Sequence, residues 1–111
     1  MKKIRILLDY GSYPVWVYDE AEQLINFTSE GFQLPDEINT PETRQLCEAI
    51  QSAYHSLFTN NERVFSYNGF GDRREEERDF INKLKRLVNI VIERLGGAYH
   101  IINDIEEDWQ S

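Results

Sequence analysis

The sequence predicts a small α+β domain. It has a mostly antiparallel sheet that starts with an N-terminal β-hairpin, two helices packed on one face, and a C-terminal strand. Three observations carry this. Two β-prone runs flank Gly11-Ser12, two longer segments repeat apolar residues at helical spacing, and a last β-prone run, Tyr99 to Asn103, follows Gly96-Gly97. The 111 residues, 41% of them apolar, suffice for one core and read as a single domain over 1–111.

The hairpin organises the rest. Ile4 to Tyr10 and Tyr13 to Tyr18 are rich in β-branched and large apolar residues, and a Gly-X pair suits a two-residue II′ turn. That turn sets Tyr10 opposite Tyr13, Leu8 opposite Val15 and Ile6 opposite Val17. These residues then share a core face with Ile4. The other face carries Arg5, Leu7, Asp9, Pro14, Trp16 and Tyr18, which is more apolar than a plain solvent face. Something should cover it: a helix or loop of the same chain, a partner protein, or a second copy closing a homodimer. Pro14 has no N–H for the ladder, which suits an edge strand.

After the hairpin, Asp19 to Gln23 reads as a polar turn and Leu24 to Phe27 as a short third strand. Thr28 to Asn39 reads as a loop anchored by Phe32 and Leu34. Thr40-Pro41-Glu42 starts a helix, with a capping hydroxyl, Pro at the first helical position and an acid at the positive end of the dipole. Leu46, Ile50, Ala53, Tyr54 and Leu57 make its apolar stripe, and Asn60-Asn61 suits its end. Arg63 to Tyr67 is a short strand. Asp72 and Glu75 have the spacing of a capping box. Phe80, Ile81, Leu84, Leu87, Val88, Val91, Ile92 and Leu95 then form the second helix, which Gly96-Gly97 stops with a left-handed cap.

Net charge is −8, and all of it lies in one segment. Residues 9–48 hold nine acids against Arg44 alone, while the rest of the chain holds eleven acids and eleven bases. Such a field repels nucleic acid and anionic membrane and speeds encounter with a basic protein. Cys47 stands alone, which excludes an intrachain disulfide and fits a reducing, cytoplasmic setting. The first apolar run stops at Asp9, too short for a signal peptide, and no run approaches membrane-spanning length.

Little in the sequence suggests catalysis, so the chain reads as a non-enzyme without cofactor or metal. Cys47 and His55 fall eight residues apart on one helix, about 80° apart in direction, which sets them on different faces. Two histidines without paired spacing make no zinc site. Asn68-Gly69-Phe70-Gly71-Asp72 lacks the Lys and Ser/Thr of a phosphate-binding loop and reads as a turn. The residues singled out for partner binding are Trp16 and Tyr18 as aromatic anchors, with Asp9, Asp19, Glu20 and Glu22 steering and pairing with basic groups.

In Leu7-Leu8-Asp9-Tyr10-Gly11-Ser12-Tyr13-Pro14-Val15-Trp16-Val17-Tyr18-Asp19-Glu20, and in size, acidity and α+β make-up, the chain resembles small bacterial immunity proteins of toxin–immunity pairs, including contact-dependent growth-inhibition and other polymorphic-toxin systems. Those families share no signature, so the resemblance assigns no residue. It implies a cytoplasmic protein that binds and blocks one cognate toxin domain, often a basic nuclease. The other class these features suit is a nucleic-acid-mimicking or regulatory adaptor, such as a phage-type inhibitor.

Overall fold

The computed structural model describes residues 1–105 and 109. Its central sheet has the order β2-β1-β7, with β1 (Lys2–Ile6), β2 (Val15–Tyr18) and β7 (Tyr99–Asn103). The sheet is mixed: β1 runs antiparallel to β2 and parallel to β7. Two antiparallel ribbons complete the strands. One pairs β3 (Phe27–Thr28) with β4 (Gly31–Phe32), the other β5 (Phe58–Asn60) with β6 (Phe65–Tyr67). Helices α1 (Pro41–His55) and α2 (Arg74–Leu95) pack on one face of the sheet.

The core face is the one alternation selects. Ile4, Ile6, Val15 and Val17 are buried against Leu46, Ile50, Leu84, Leu87 and Val91 of the two helices. The hairpin register differs from the expected one. Ile6 pairs with Val15 and Ile4 with Val17, and residues 7–14 form a wide loop instead of a two-residue turn. The slip is two residues, so every side chain keeps its face. Gly11 does adopt a positive φ of 84°, but inside a turn closed by Ser12 N–H donating to the Asp9 carbonyl at 3.2 Å. Tertiary contacts hold the loop open. The Tyr10 ring sits 4.4 Å from His55 and 5.1 Å from Phe65, and Tyr13 stacks on Phe32 at 6.4 Å.

α1 begins as its sequence dictates: the Thr40 hydroxyl accepts from Thr43 N–H at 3.2 Å, with Pro41 in the first turn. It stops at His55, earlier than Asn60-Asn61. Phe58 to Asn60 pairs with β6 instead, and the Asn61 side chain accepts from Arg63 and Val64 N–H, both at 2.9 Å, closing that ribbon's turn. Leu24 to Phe27 makes only one bridge, Leu24 to Tyr18, before β3, and the expected loop after it contains β4 and a 3-10 turn at Asp36–Ile38.

At the start of α2 the capping box does not form. Arg73 occupies the cap position without a side-chain cap bond, and its guanidinium donates to the carbonyls of Phe70 and Gly69 and to Glu76. At the end, Gly96 keeps right-handed angles (φ −61°) instead of a left-handed cap. Glycine is needed there because a Cβ would meet the Ile92 carbonyl oxygen at 2.5 Å. Ile92 points outward, 52% exposed, rather than joining the stripe. The acidic run Glu106 to Asp108 lies outside the described residues. Trp109 is buried against Phe80 and Phe70, with ring centroids at 5.1 and 6.2 Å.

Candidate protein-binding surface

The outer face of the hairpin is partly covered by the chain itself. Trp16 is half-buried, its ring 5.3 Å from Phe32, which in turn lies 4.8 Å from Phe27. The Trp16 indole N–H is buried, and among the described residues it has no hydrogen-bond partner. Ribbon β3–β4 is therefore the lid the aromatic face required. It is held by Asn26, a buried side chain at the sheet edge. Asn26 Oδ1 accepts from Val17 N–H at 2.9 Å, and its amide donates to the carbonyls of Val15 at 2.9 Å and Gln33 at 3.1 Å. Tyr18 is half-buried beside Lys3, Arg5, Ile102 and Asp104. The Asp104 carboxylate, 2.5 Å from Arg5 Nε, raises the guanidinium's proton affinity, and Tyr18 adds to this.

The four singled-out acids have different placements. Asp19 Oδ1 accepts from the N–H groups of Ala21 and Gln23, both at 2.9 Å, so it shapes its own turn. Glu20 lies 3.7 Å from the Met1 amino group. Glu22, at a positive φ of 62°, meets Lys3 at 2.9 Å, and that hydrogen bond holds its carboxyl below the usual range. These three cluster beside Tyr18. Asp9 sits at the opposite end of the hairpin, in the 7–14 loop, and is exposed.

What the sequence reading missed is the lid's own outer surface. Ile25 is 43% and Phe27 59% exposed, next to Leu24 at 36%. The signal was present in Leu24-Ile25-Asn26-Phe27, an apolar run that reads as a sheet strand. Its polar Asn26 points inward and its apolar residues point outward, the reverse of the usual order. Around this strip, Glu30, Asp36 and Glu37 are exposed, and among the described residues they make no ion pair. A second apolar surface, Val64 with Phe65 and Tyr67 of β6, is also exposed. Tyr10 and Tyr13 of the 7–14 loop tie the two ribbons together, one packing on each.

Cys47, His55 and His100 sit in three different settings. Cys47 is fully buried, and desolvation pushes its thiol up to about 12. His55 Nε2 accepts from Gly11 N–H at 2.7 Å, which fixes the proton of the neutral ring on Nδ1. His100 is exposed on β7. Among the described residues no three His, Cys, Asp or Glu side chains gather to hold a metal ion. No described helix is long and apolar enough to cross a membrane. No family model and no curated protein matches the chain.

Proposed function

We propose that this chain is a non-catalytic, acidic binding protein that neutralises a basic protein toxin, as an immunity protein does for its cognate nuclease-like domain. The observation that supports this best is the strip of Leu24, Ile25 and Phe27, exposed over Phe32 and Trp16 and bordered by Glu30, Asp36 and Glu37. Apolar anchors within a charged rim are the usual anatomy of a specific interface. Carboxylates that make no internal ion pair are available to Lys and Arg of a partner, whereas Glu20 and Glu22 must first release Met1 and Lys3. The anchors in this reading are Phe27 and Ile25, with Trp16 and Tyr18 beneath and beside them. A reducing, cytoplasmic site of action accords with the single buried thiol.

The test is affinity capture from a lysate of the source cells with the tagged chain, washed at low and then high salt. One basic protein, released by salt and lost with Phe27→Ser, supports the reading and is then assayed for nuclease activity with and without the chain. Capture unaffected by Phe27→Ser, or a partner whose activity the chain leaves intact, overturns it.

A further inference from the structure

Asn68-Gly69-Phe70-Gly71-Asp72 has no part in the surface proposed for partner binding, but it contains one reactive step. Asparagine is among the chemically labile side chains, and Asn68 is the only asparagine of this chain followed by glycine. The others precede Phe, Thr, Asn, Glu, Lys, Ile or Asp. A glycine in the next position can bring its backbone nitrogen to the side-chain amide with no Cβ in the way. The fold leaves that approach open. Asn68 is exposed and lies just past the end of β6, outside helix and strand. Gly69 has a positive φ of 69°, and its N–H makes no hydrogen bond among the described residues. The Asn68 side chain is held at one atom: Nδ2 donates to the Thr59 hydroxyl at 2.7 Å, while Oδ1 has no partner among the described residues.

We infer that Asn68 is a deamidation site of the folded chain, converting through a succinimide to isoaspartyl and aspartyl residues. Base takes the Gly69 N–H proton, and the nitrogen bonds to Asn68 Cγ. The Cγ–Nδ2 bond then breaks, and the amide nitrogen takes up a proton and leaves as ammonia. Water opens the succinimide ring. Its addition at the Asn68 main-chain carbonyl carbon leaves the chain running through Cγ, the isoaspartyl link, and its addition at Cγ restores the ordinary link. One water is consumed and one ammonia released, and nothing is oxidised or reduced. The position gives the change a structural consequence. Asn68 ties the segment before α2 back to the β5 region twice, by its N–H to the Leu57 carbonyl at 2.6 Å and by its amide to Thr59. Either product loses the amide donor to Thr59 and adds a negative charge next to Tyr67 of the second apolar surface. The isoaspartyl link also lengthens the main chain by one carbon just before Phe70, whose buried ring lies 5.3 Å from Phe80. The modified chain therefore holds the β5–β6 ribbon and the Phe70 anchor less firmly.

The test is timed incubation of the full native chain in warm, mildly alkaline buffer. Intact mass reads the exchange of amide for acid, and peptide fragmentation assigns the site and separates isoaspartyl from aspartyl. The expected result is a gain that maps to Asn68, with isoaspartyl as the larger product. Gly69→Ala should slow it severalfold. That variant is strained at the positive φ but has room, because the added Cβ meets nothing nearer than the Tyr67 hydroxyl at 3.8 Å. Thr59→Val leaves residues 68 and 69 untouched and should speed the gain by freeing the amide. The isoaspartyl fraction, separated by its charge, should unfold at a lower urea concentration than the starting chain. A native chain that keeps its mass while the urea-unfolded chain gains, a gain that maps to another asparagine, a rate indifferent to Gly69→Ala, or an isoaspartyl fraction as stable as the starting chain overturns the inference.

Discussion

The Asn26 side chain stands in for a strand beside Val17: its Oδ1 accepts the Val17 N–H, and its Nδ2 reaches the Val15 carbonyl two residues away. One amide thus satisfies a donor and an acceptor that β2 would otherwise turn to solvent or to another chain. It also ties down the Gln33 carbonyl, so the lid over Trp16 hangs from the same residue. Replacing Asn26 with Ala leaves buried groups without partners, at about 2–3 kcal/mol. Asn26→Asp keeps the acceptor for Val17 but turns a buried donor into a second acceptor, and should cost at least as much. Urea unfolding of both variants checks this, and wild-type stability in either would show that water replaces the amide freely.

Trp16 is a mixed case. Its ring supports Phe32, but its buried N–H has no partner among the described residues. Trp16→Ala should therefore lower stability by about 3 kcal/mol, so lost partner binding in that variant would not by itself identify an anchor. Trp16→Phe removes the unpaired donor while keeping an aromatic, and should change stability by less than about 1 kcal/mol. Phe27→Ser, at an exposed position, is the cleaner probe of binding. If Trp16→Phe unfolds the chain, the indole N–H has a partner that the geometry does not reveal.

Much of this was legible in the sequence. Face parity in the hairpin, the Thr40-Pro41 helix start, the α2 stripe and β7 all follow from local chemistry and period. In each loss another contact, near or far in the chain, overrules the short signal. Gly11-Ser12 encodes a tight turn, but His55 and Phe32, far along the chain, capture the loop. Asp72 and Glu75 have the spacing of a capping box, but the helix starts one residue later, with Arg73 at the cap position and its guanidinium on the Phe70 and Gly69 carbonyls. Asn60-Asn61 can end a helix, yet Phe58 has β6 to pair with. On the surface, composition located the acidic segment but not which acids are already engaged. Asp19 is occupied by the N–H groups of its own turn, and only the fold reveals that Glu22 is held by Lys3.

That division bears on steering. Charge reversal at Glu37 or Glu30, where no internal pair is lost, should slow association with a basic partner about threefold or more at low salt while leaving stability within about 0.5 kcal/mol. Reversal at Asp19 should lower stability instead, because the Ala21 and Gln23 N–H groups lose their acceptor. Stopped-flow association at two ionic strengths distinguishes them. A rate insensitive to both salt and Glu37→Lys would remove electrostatic steering from the account.

Stability depends on pH at both the alkaline and the acidic end. Tyr13 and Tyr99 are raised above the ordinary 10.0, both mainly by burial, with Glu48 adding at Tyr13 and Glu37 at Tyr99. A raised phenol favours the folded state only while it stays protonated. Its contribution is complete below pH 10.0 and is lost as pH climbs through the folded values. Glu22 is shifted the other way, below 4.5, so the stability its Lys3 pair adds is present at neutral pH and lost on acidification. Tyrosinate absorbance against pH should show phenols that titrate late. If all six tyrosines ionise together at the free value, the rings are more open than their packing indicates.

Cys47 should be inert while the chain is folded. Lifting the thiol from 9.0 to about 12 cuts its thiolate fraction near neutral pH about a thousandfold, and full burial blocks access as well. Alkylation monitored by mass should proceed only in denaturant. Rapid labelling of the native chain would mean that α1 opens locally on the labelling timescale.

Trp109 gives the sharpest test of how the core is completed. Its ring meets Phe80 edge-on at 5.1 Å and 83°, with Phe70 and Tyr54 around it at 6.2 and 6.4 Å. It is 5% exposed, although three acids directly precede it in the sequence. It therefore closes the core between Tyr54 of α1 and Phe80 of α2. Trp109→Ala should cost about 3–5 kcal/mol through lost burial and the cavity it leaves, whereas Trp109→Phe should recover more than half of that by keeping an edge-to-face ring. Denaturation midpoints of the two variants decide it. Equal, wild-type-like midpoints would show that Phe70 and Phe80 pack well enough without the indole.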